Sequence, residues 1–303
     1  MYRQTALLDK LLSNVQLSAH IMHPKKLGFT CTWFKHNISS KKEAVFSPND
    51  IVVIPEVMVA KHAPLIHQLG IRYCIYVQNG YFICKGDMSI LKKCYADAEL
   101  ILAISDDTTA CIKSIFPEMA DEKMLRMHYS VDASLFQANA IKQNVISYMP
   151  RKLPAHVKLV AGFLSHKLPP DWRLVPIENK SESETAEILA SSKIFLSFSE
   201  FEGCPLPPVE AALAGNLVVG YTGEGGKEYF HLPNFKAVES GNIMQFCQQT
   251  LWAAAYWQQT NRQSQVHESM TSGIATLKNQ YSQQAEINDL RQFVKKLFPT
   301  SNV

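Results

Sequence analysis

The chain has 303 residues, 47% of them hydrophobic and 19% charged, with a formal net charge of +3. That length suits two domains rather than one, and the composition is that of a globular protein. The weak net charge makes no case for nucleic-acid binding, and no stretch approaches the ~20 apolar residues of a membrane span. Seven cysteines without a CxxC pair argue for a reducing compartment, and against a disulfide framework or zinc site. The opening MYRQTALLDKLL lacks a signal-peptide core, so a cytoplasmic location is expected.

Residues 2–20 read as an amphipathic helix, with Leu7, Leu8, Leu11, Leu12, Val15 and Leu17 near helical spacing. Strands are expected over 50–57, 71–77, 98–104 and 124–130. Helices are expected over 62–69, ended by Gly70, and over 88–96. A further helix is capped by Ser105 or Asp106. Strands alternating with helices imply a parallel sheet with helices on both faces. Asn79 and Tyr81 leave the second of these strands at its carboxyl end, where loop residues can face a ligand or simply solvent.

A polar linker, 137–143, separates this region from a second run of elements: strands over 145–148 and 172–177, and a helix over 183–190 capped by Ser181 or Ser183. Arg151 and Lys152 follow the first of these strands, where a basic pair can simply form a solvated turn. The stretch 194–230 organises the chain. IFLSF reads as a buried strand, Glu202-Gly203-Cys204-Pro205 as a loop, and Pro207 to Ala214 as a helix closed by Gly215. Leu217-Val218-Val219 is the next strand, completing a βαβ unit. Ligands bind beyond the carboxyl ends of such strands, which puts Glu202 at a cleft and Glu210 in the first helical turn. As bland alternatives, both glutamates are solvated acids favoured by the helix dipole. Helices are expected over 243–259 and, unbroken or as two, over 265–298; Ile287, Leu290, Val294 and Leu297 mark an apolar stripe.

Glu202-Gly-x-x-Leu206-Pro-x-x-Glu210-Ala, followed by Ala-Gly and an apolar strand, resembles the E-x7-E motif of retaining GT-B glycosyltransferases of the group 1, family four-like kind. Ser130-Val131-Asp132 to Phe136 is similar to the segment that closes the first domain in that family. The resemblance implies two doubly wound Rossmann-like α/β domains around an interdomain cleft. It implies a first domain over 1–138 on the acceptor side and a nucleotide-sugar domain over 139–275. Residues 276–303 are then a helix packing back on the first domain. Because the family opens on a strand and a Gly-rich turn, and this chain on a helix, the first domain is read as truncated or shortened; Ile21 to Trp33 is the candidate substitute strand.

Carried over residue by residue, Glu202 contacts the donor sugar, Glu210 the ribose hydroxyls, and Arg151 with Lys152 the diphosphate. Gly203, Cys204, Leu206, Val209, Gly225 and Gly226 line the nucleotide site, Glu228 lies near the donor, and Asn79 with Tyr81 face the acceptor. One departure is that Gly-Phe-Gly of the family is Gly203-Cys204-Pro205 here, which removes a backbone donor.

The implied activity is metal-independent transfer of a hexose or deoxyhexose, in polysaccharide biosynthesis. The donor is a nucleoside diphosphate sugar, with no further cofactor, and the acceptor a glycan or lipid-linked glycan, which brings peripheral membrane association with it. Ser105-Asp106-Asp107 does not make the DxD of metal-using GT-A enzymes, and His20 with His23 or His62 with His67 lacks a third ligand. Cys204 has no base nearby in sequence and reads as a small apolar residue rather than a nucleophile. Two other classes stay open: a sugar-nucleotide epimerase on the same fold, and a nucleotide-binding or interaction module without activity.

Overall fold

A computed structural model describes residues 1–15, 17–23, 38, 40–41, 45–139, 141–259 and 263–299. Contacts divide the chain into two compact units, Met1–Ser130 with Gln283–Val303, and Val131–Ser282. The sequence reading set these divisions at 138 and 275. Val131, Phe136, Leu277 and Tyr281 all pack in the core of the second unit.

In the first unit, α1 (Tyr2–Leu12) is followed by a short parallel pair, β1 (Ile21–Met22) and β2 (Ser40–Lys41). The expected helix over 2–20 thus ends eight residues early. A 3-10 turn, Ser13–Val15, follows; the Ser13 hydroxyl donates to the Lys10 carbonyl and the Asp9 carboxylate accepts the Ala19 N–H, tying the exit back to α1. Most of the candidate substitute strand, residues 24–33, lies outside the described residues. The main sheet is parallel, in the order β3 (Ile51–Pro55), β4 (Arg72–Val77), β5 (Ile101–Ala103), β6 (Met124–Arg126). Helices α2 (Val59–Gln68), α3 (Met88–Asp97) and α4 (Asp106–Ile115) connect these strands. Asp87 caps α3, and the Ser105 hydroxyl caps α4 by accepting the Thr108 N–H at 3.0 Å. The last strand stops at Arg126, four residues short of the expected end: the Met127 N–H still reaches the Ala103 carbonyl, but the His128 N–H donates to Asp289 of the C-terminal helix.

The second unit has a five-stranded parallel sheet in the order β11-β10-β9-β7-β8. Its strands are β7 (Gln143–Tyr148), β8 (Arg173–Pro176), β9 (Ser192–Glu202), β10 (Leu217–Glu224) and β11 (Phe235–Ala237). Helices α5 (Pro154–Ser165) and α8 (Ile243–Gln258) bury one sheet face, with Val160, Leu164, Phe246 and Ala253 in the core. Helices α6 (Glu182–Ser191), α7 (Leu206–Leu213) and α9 (Gln263–Gln280) contribute to the core on the other face. Ser181 and Glu184 form a capping box on α6. Gly215, at φ +76°, closes α7: its N–H reaches the Ala212 carbonyl and the Asn216 N–H the Ala211 carbonyl. That is a Schellman motif, which needs a left-handed residue at this position. The chain then returns to the first unit as α10 (Gln283–Leu297), which packs on α1 and β6 and buries Leu290, Phe293, Val294 and Leu297. No described helix is long and apolar enough to cross a membrane.

Candidate active site

The second sheet reverses direction between β7 and β9. From β7 the chain winds through α5 to the edge strand β8, then crosses back through α6 to place β9 on the opposite side of β7. Connections that diverge from neighbouring strands leave a crevice at their carboxyl ends, and this is where open α/β sheets bind ligands. The chain leaving β7 carries Arg151 and Lys152 in an exposed turn. The strand entering from the other side ends in Glu202. Lys152 Nζ lies 3.2 Å from Glu202 Oε2, with the side chains 44% and 22% exposed. Two residues fifty positions apart, both candidates from the sequence, meet at the switch point. Arg151 is exposed and precedes Lys152 in the same turn.

Glu202 is the last residue of a strand rather than part of a loop. Ser199 pairs with Thr222, and Glu202 with Glu224 across a register shift, extending β9 past the expected Phe198. Phe201 and Glu224 flank that irregularity with φ of +43° and +69°, a conformation that costs non-glycine residues roughly 1–3 kcal/mol each. The turn that follows is packed tightly from below. A Cβ on Gly225 would sit 1.9 Å from the Gly203 carbonyl oxygen, so only glycine fits there. The buried Tyr229 hydroxyl donates to the Pro205 carbonyl at 2.5 Å and pins the start of α7.

Helix α7 begins at Leu206, so Glu210 falls in its second turn rather than its first, half-buried. Val209 is fully buried in the core; its side chain is packing, not lining. Cys204 and Leu206 are half-buried and lean on the same core. Burial holds the Tyr229 hydroxyl well above the ordinary tyrosine range, and the carboxylates of Glu202, Glu228 and Glu210 push it in the same direction. The Tyr281 hydroxyl donates to Glu228 Oε1 at 3.0 Å, and its ring stands edge-on to that of Tyr229 at 5.9 Å. Sequence reading placed Glu228 near the donor but missed both tyrosines, for Tyr281 stands 53 positions from its partner with no motif around it.

Asn79 and Tyr81 lie in the first unit. The Asn79 side chain accepts the Tyr81 N–H at 3.0 Å, and the Tyr81 hydroxyl donates to Asp107 at 3.0 Å. Tyr81 lines a cavity of about 400 Å³ with Gly80, Cys84, Cys111 and Ile115. Among the described residues no three His, Cys, Asp or Glu are grouped to hold a metal ion.

No protein-family model matches the chain, and no curated protein sequence matches it. Its structure is similar to that of a glycosyltransferase from Rickettsia africae, with a TM-score of 0.65 at 14% identity over 99% of this chain and 95% of that one. It is also similar to HepE from Anabaena in complex with UDP (TM-score 0.63, 11% identity, 81% and 78% covered). A third is the pneumococcal O-GlcNAc transferase GtfA with UDP and GlcNAc (TM-score 0.60, 12% identity, 82% and 57% covered). The fold is that of the GT-B glycosyltransferases. The chain spans about half the length of the TarM chains it also matches, 51% and 55%. At these identities the likeness is one of fold.

Proposed function

We propose that the chain transfers a sugar from a nucleoside diphosphate sugar to a glycan or lipid-linked acceptor, with retention of configuration and without a bound metal. The observation that carries this reading is the Lys152–Glu202 pair at the switch point of the second sheet. A cation and a carboxylate within 4 Å of each other can serve the two parts of such a donor. Lys152, with Arg151 beside it, faces the diphosphate and stabilises the negative charge that develops there as the bond to the sugar breaks. Glu202, repelled by phosphate, accepts hydrogen bonds from sugar hydroxyls. Glu210 serves the ribose, and the backbone of Gly203, Cys204, Gly225 and Gly226 frames the nucleotide. Asn79 and Tyr81 stand on the acceptor side. No side chain acts as a nucleophile in this scheme. UDP, the nucleotide bound by TarM, GtfA and HepE, is the first donor nucleotide to test.

Titration calorimetry with UDP and with UDP-glucose tests the reading. Glu210→Ala is expected to weaken both ligands by about ten- to a hundredfold, the loss of a charge-assisted contact. Failure of the wild-type chain to bind any uridine, guanosine or thymidine diphosphate or its sugar rejects it. A second reading, nucleotide binding without transfer, is favoured by Pro205, which has no N–H to offer a phosphate. Saturable UDP-sugar binding with no release of UDP in the presence of acceptor glycans selects that reading.

A further inference from the structure

Backbone strain in the second unit gathers beside the candidate site. Three described residues other than glycine have left-handed backbone: Asn179 at φ +52°, Phe201 at +43° and Glu224 at +69°. Asparagine visits that region readily, and Glu224 leads the chain into the tight Gly225 turn and pairs with Lys227. Phenylalanine does not visit it readily, because its Cβ crowds the following carbonyl. Phe201 is also the most exposed phenylalanine of the described residues, at 55%. The pleat of β9 shows what the strain achieves. Ile194, Leu196 and Phe198 pack on the side of α5 and α8, while Phe195 between them packs on the side of α7, and Ser197 and Ser199 are buried in its series. Phe201 continues the Phe195 series, so a regular strand would turn its ring to that covered side. Instead Glu200 and Phe201 are both exposed, one after the other, and the next residue, Glu202, reaches Lys152. The backbone takes a costly conformation, and the result is to uncover an aromatic ring that burial would have favoured. Two costs to stability at one residue adjoining a site are what a group held for a ligand incurs.

We infer that Phe201 is a sugar-binding residue, whose ring covers the C–H face of the donor's pyranose. The inference rests on the donor site proposed above. A pyranose carries hydroxyls around its rim and C–H groups on its faces. It is therefore recognised by a carboxylate and a flat apolar surface set side by side, and the consecutive Phe201 and Glu202 supply both. Lys152, in contact with Glu202, leaves the diphosphate end to the cations. The ring thus bears on the sugar and not on the nucleotide.

Calorimetry of the full chain and its Phe201→Ala and Phe201→Tyr variants tests it. The ligands are the nucleoside diphosphate that the wild type binds, UDP first, and the glucose conjugate of that nucleotide. Phe201→Ala is expected to bind the bare diphosphate as the wild type does, and the glucose conjugate about three- to tenfold more weakly, the worth of one aromatic face. Phe201→Tyr keeps the ring and is expected to restore that affinity. Urea unfolding of Phe201→Gly gives an independent reading. Its midpoint is expected at or above that of the wild type, because glycine takes the left-handed backbone without strain. Three results overturn the inference and leave the donor site standing: unchanged affinity of Phe201→Ala for the conjugate, an equal loss of both ligands, or a lowered midpoint in Phe201→Gly, which would make the ring a support of the fold. A wild type that binds no nucleoside diphosphate and no conjugate rejects the donor site, and this inference with it.

Discussion

The two units treat the polar groups at their strand ends in opposite ways. In the first, these groups bond to one another and to the chain termini. Glu56, after β3, accepts the Gln78 N–H at 3.1 Å, and the Gln78 side chain donates to the Tyr129 hydroxyl at 3.1 Å. Tyr76 donates to Gln4 of α1 at 2.5 Å, while Asp289 of α10 takes the His128 N–H at 2.6 Å and lies 2.8 Å from its ring Nδ1. In the second unit the corresponding groups form part-exposed ion pairs, Lys152 with Glu202 and Lys227 with Glu224, beside a tightly packed turn. Buried, satisfied polar groups fix a structure, whereas a cation and a carboxylate that meet each other in reach of solvent can exchange that contact for a ligand. The first unit's strand ends should thus govern stability and the second unit's should govern binding.

The sharpest break of that contrast is at Gly225. Gly225→Ala must move the Gly203 carbonyl, and is expected to cost about 3 kcal/mol of stability and to abolish UDP binding together. Urea unfolding and calorimetry read the two effects; an unchanged midpoint with unchanged UDP affinity removes the close approach from the account. Asp289→Ala strands two donors of His128, and is expected to cost about 2–3 kcal/mol while leaving UDP affinity as it was. A loss of UDP affinity there breaks the division between the units. A smaller effect is expected with pH. Burial raises the Glu286 carboxyl above its ordinary range despite the hydrogen bond from Ser130. A raised acid binds more protons folded than unfolded, so its contribution falls as pH climbs from about 4.5 through the folded value. Glu286→Gln should therefore gain on the wild type as pH rises over that window, and parallel curves would rule the group out.

What could be read from the sequence follows the same line. The βαβ unit over 194–219 was legible because local rules agree: an apolar β-branched run, prolines at a helix start, Ala-Gly at its end. Helix α5 went unread. PAHVKLVAGFLS shows no polar face to set a 3.6-residue period, since Leu159 and Phe163 point outward. The end of β9 was set short because pairing with β10, not the residues SEFE themselves, carries the strand to Glu202. Glu202, Lys152 and Arg151 stand out in the sequence by residue type; that Lys152 and Glu202 touch is a property of the switch point, which no local pattern encodes.

The smallest effect tests that contact directly. Lys152 cannot face a diphosphate and Glu202 at full strength together, so bare UDP must compete with the carboxylate for the ammonium. An exposed ion pair is worth about 0.2–1 kcal/mol, and Glu202 also repels the phosphates it stands beside. Glu202→Gln keeps the side chain's shape and removes both penalties. Bare UDP is therefore expected to bind about two- to fivefold more tightly to the variant, with the gain shrinking as salt screens the charges. Sugar transfer should fall in the same variant, because an amide accepts hydroxyl hydrogen bonds more weakly than a carboxylate. Lys152→Gln should weaken UDP, and in its background Glu202→Gln should lose the salt-dependent part of its gain. If Glu202→Gln weakens bare UDP instead, Glu202 binds the nucleotide itself, and the ion pair is not the contact that a donor replaces.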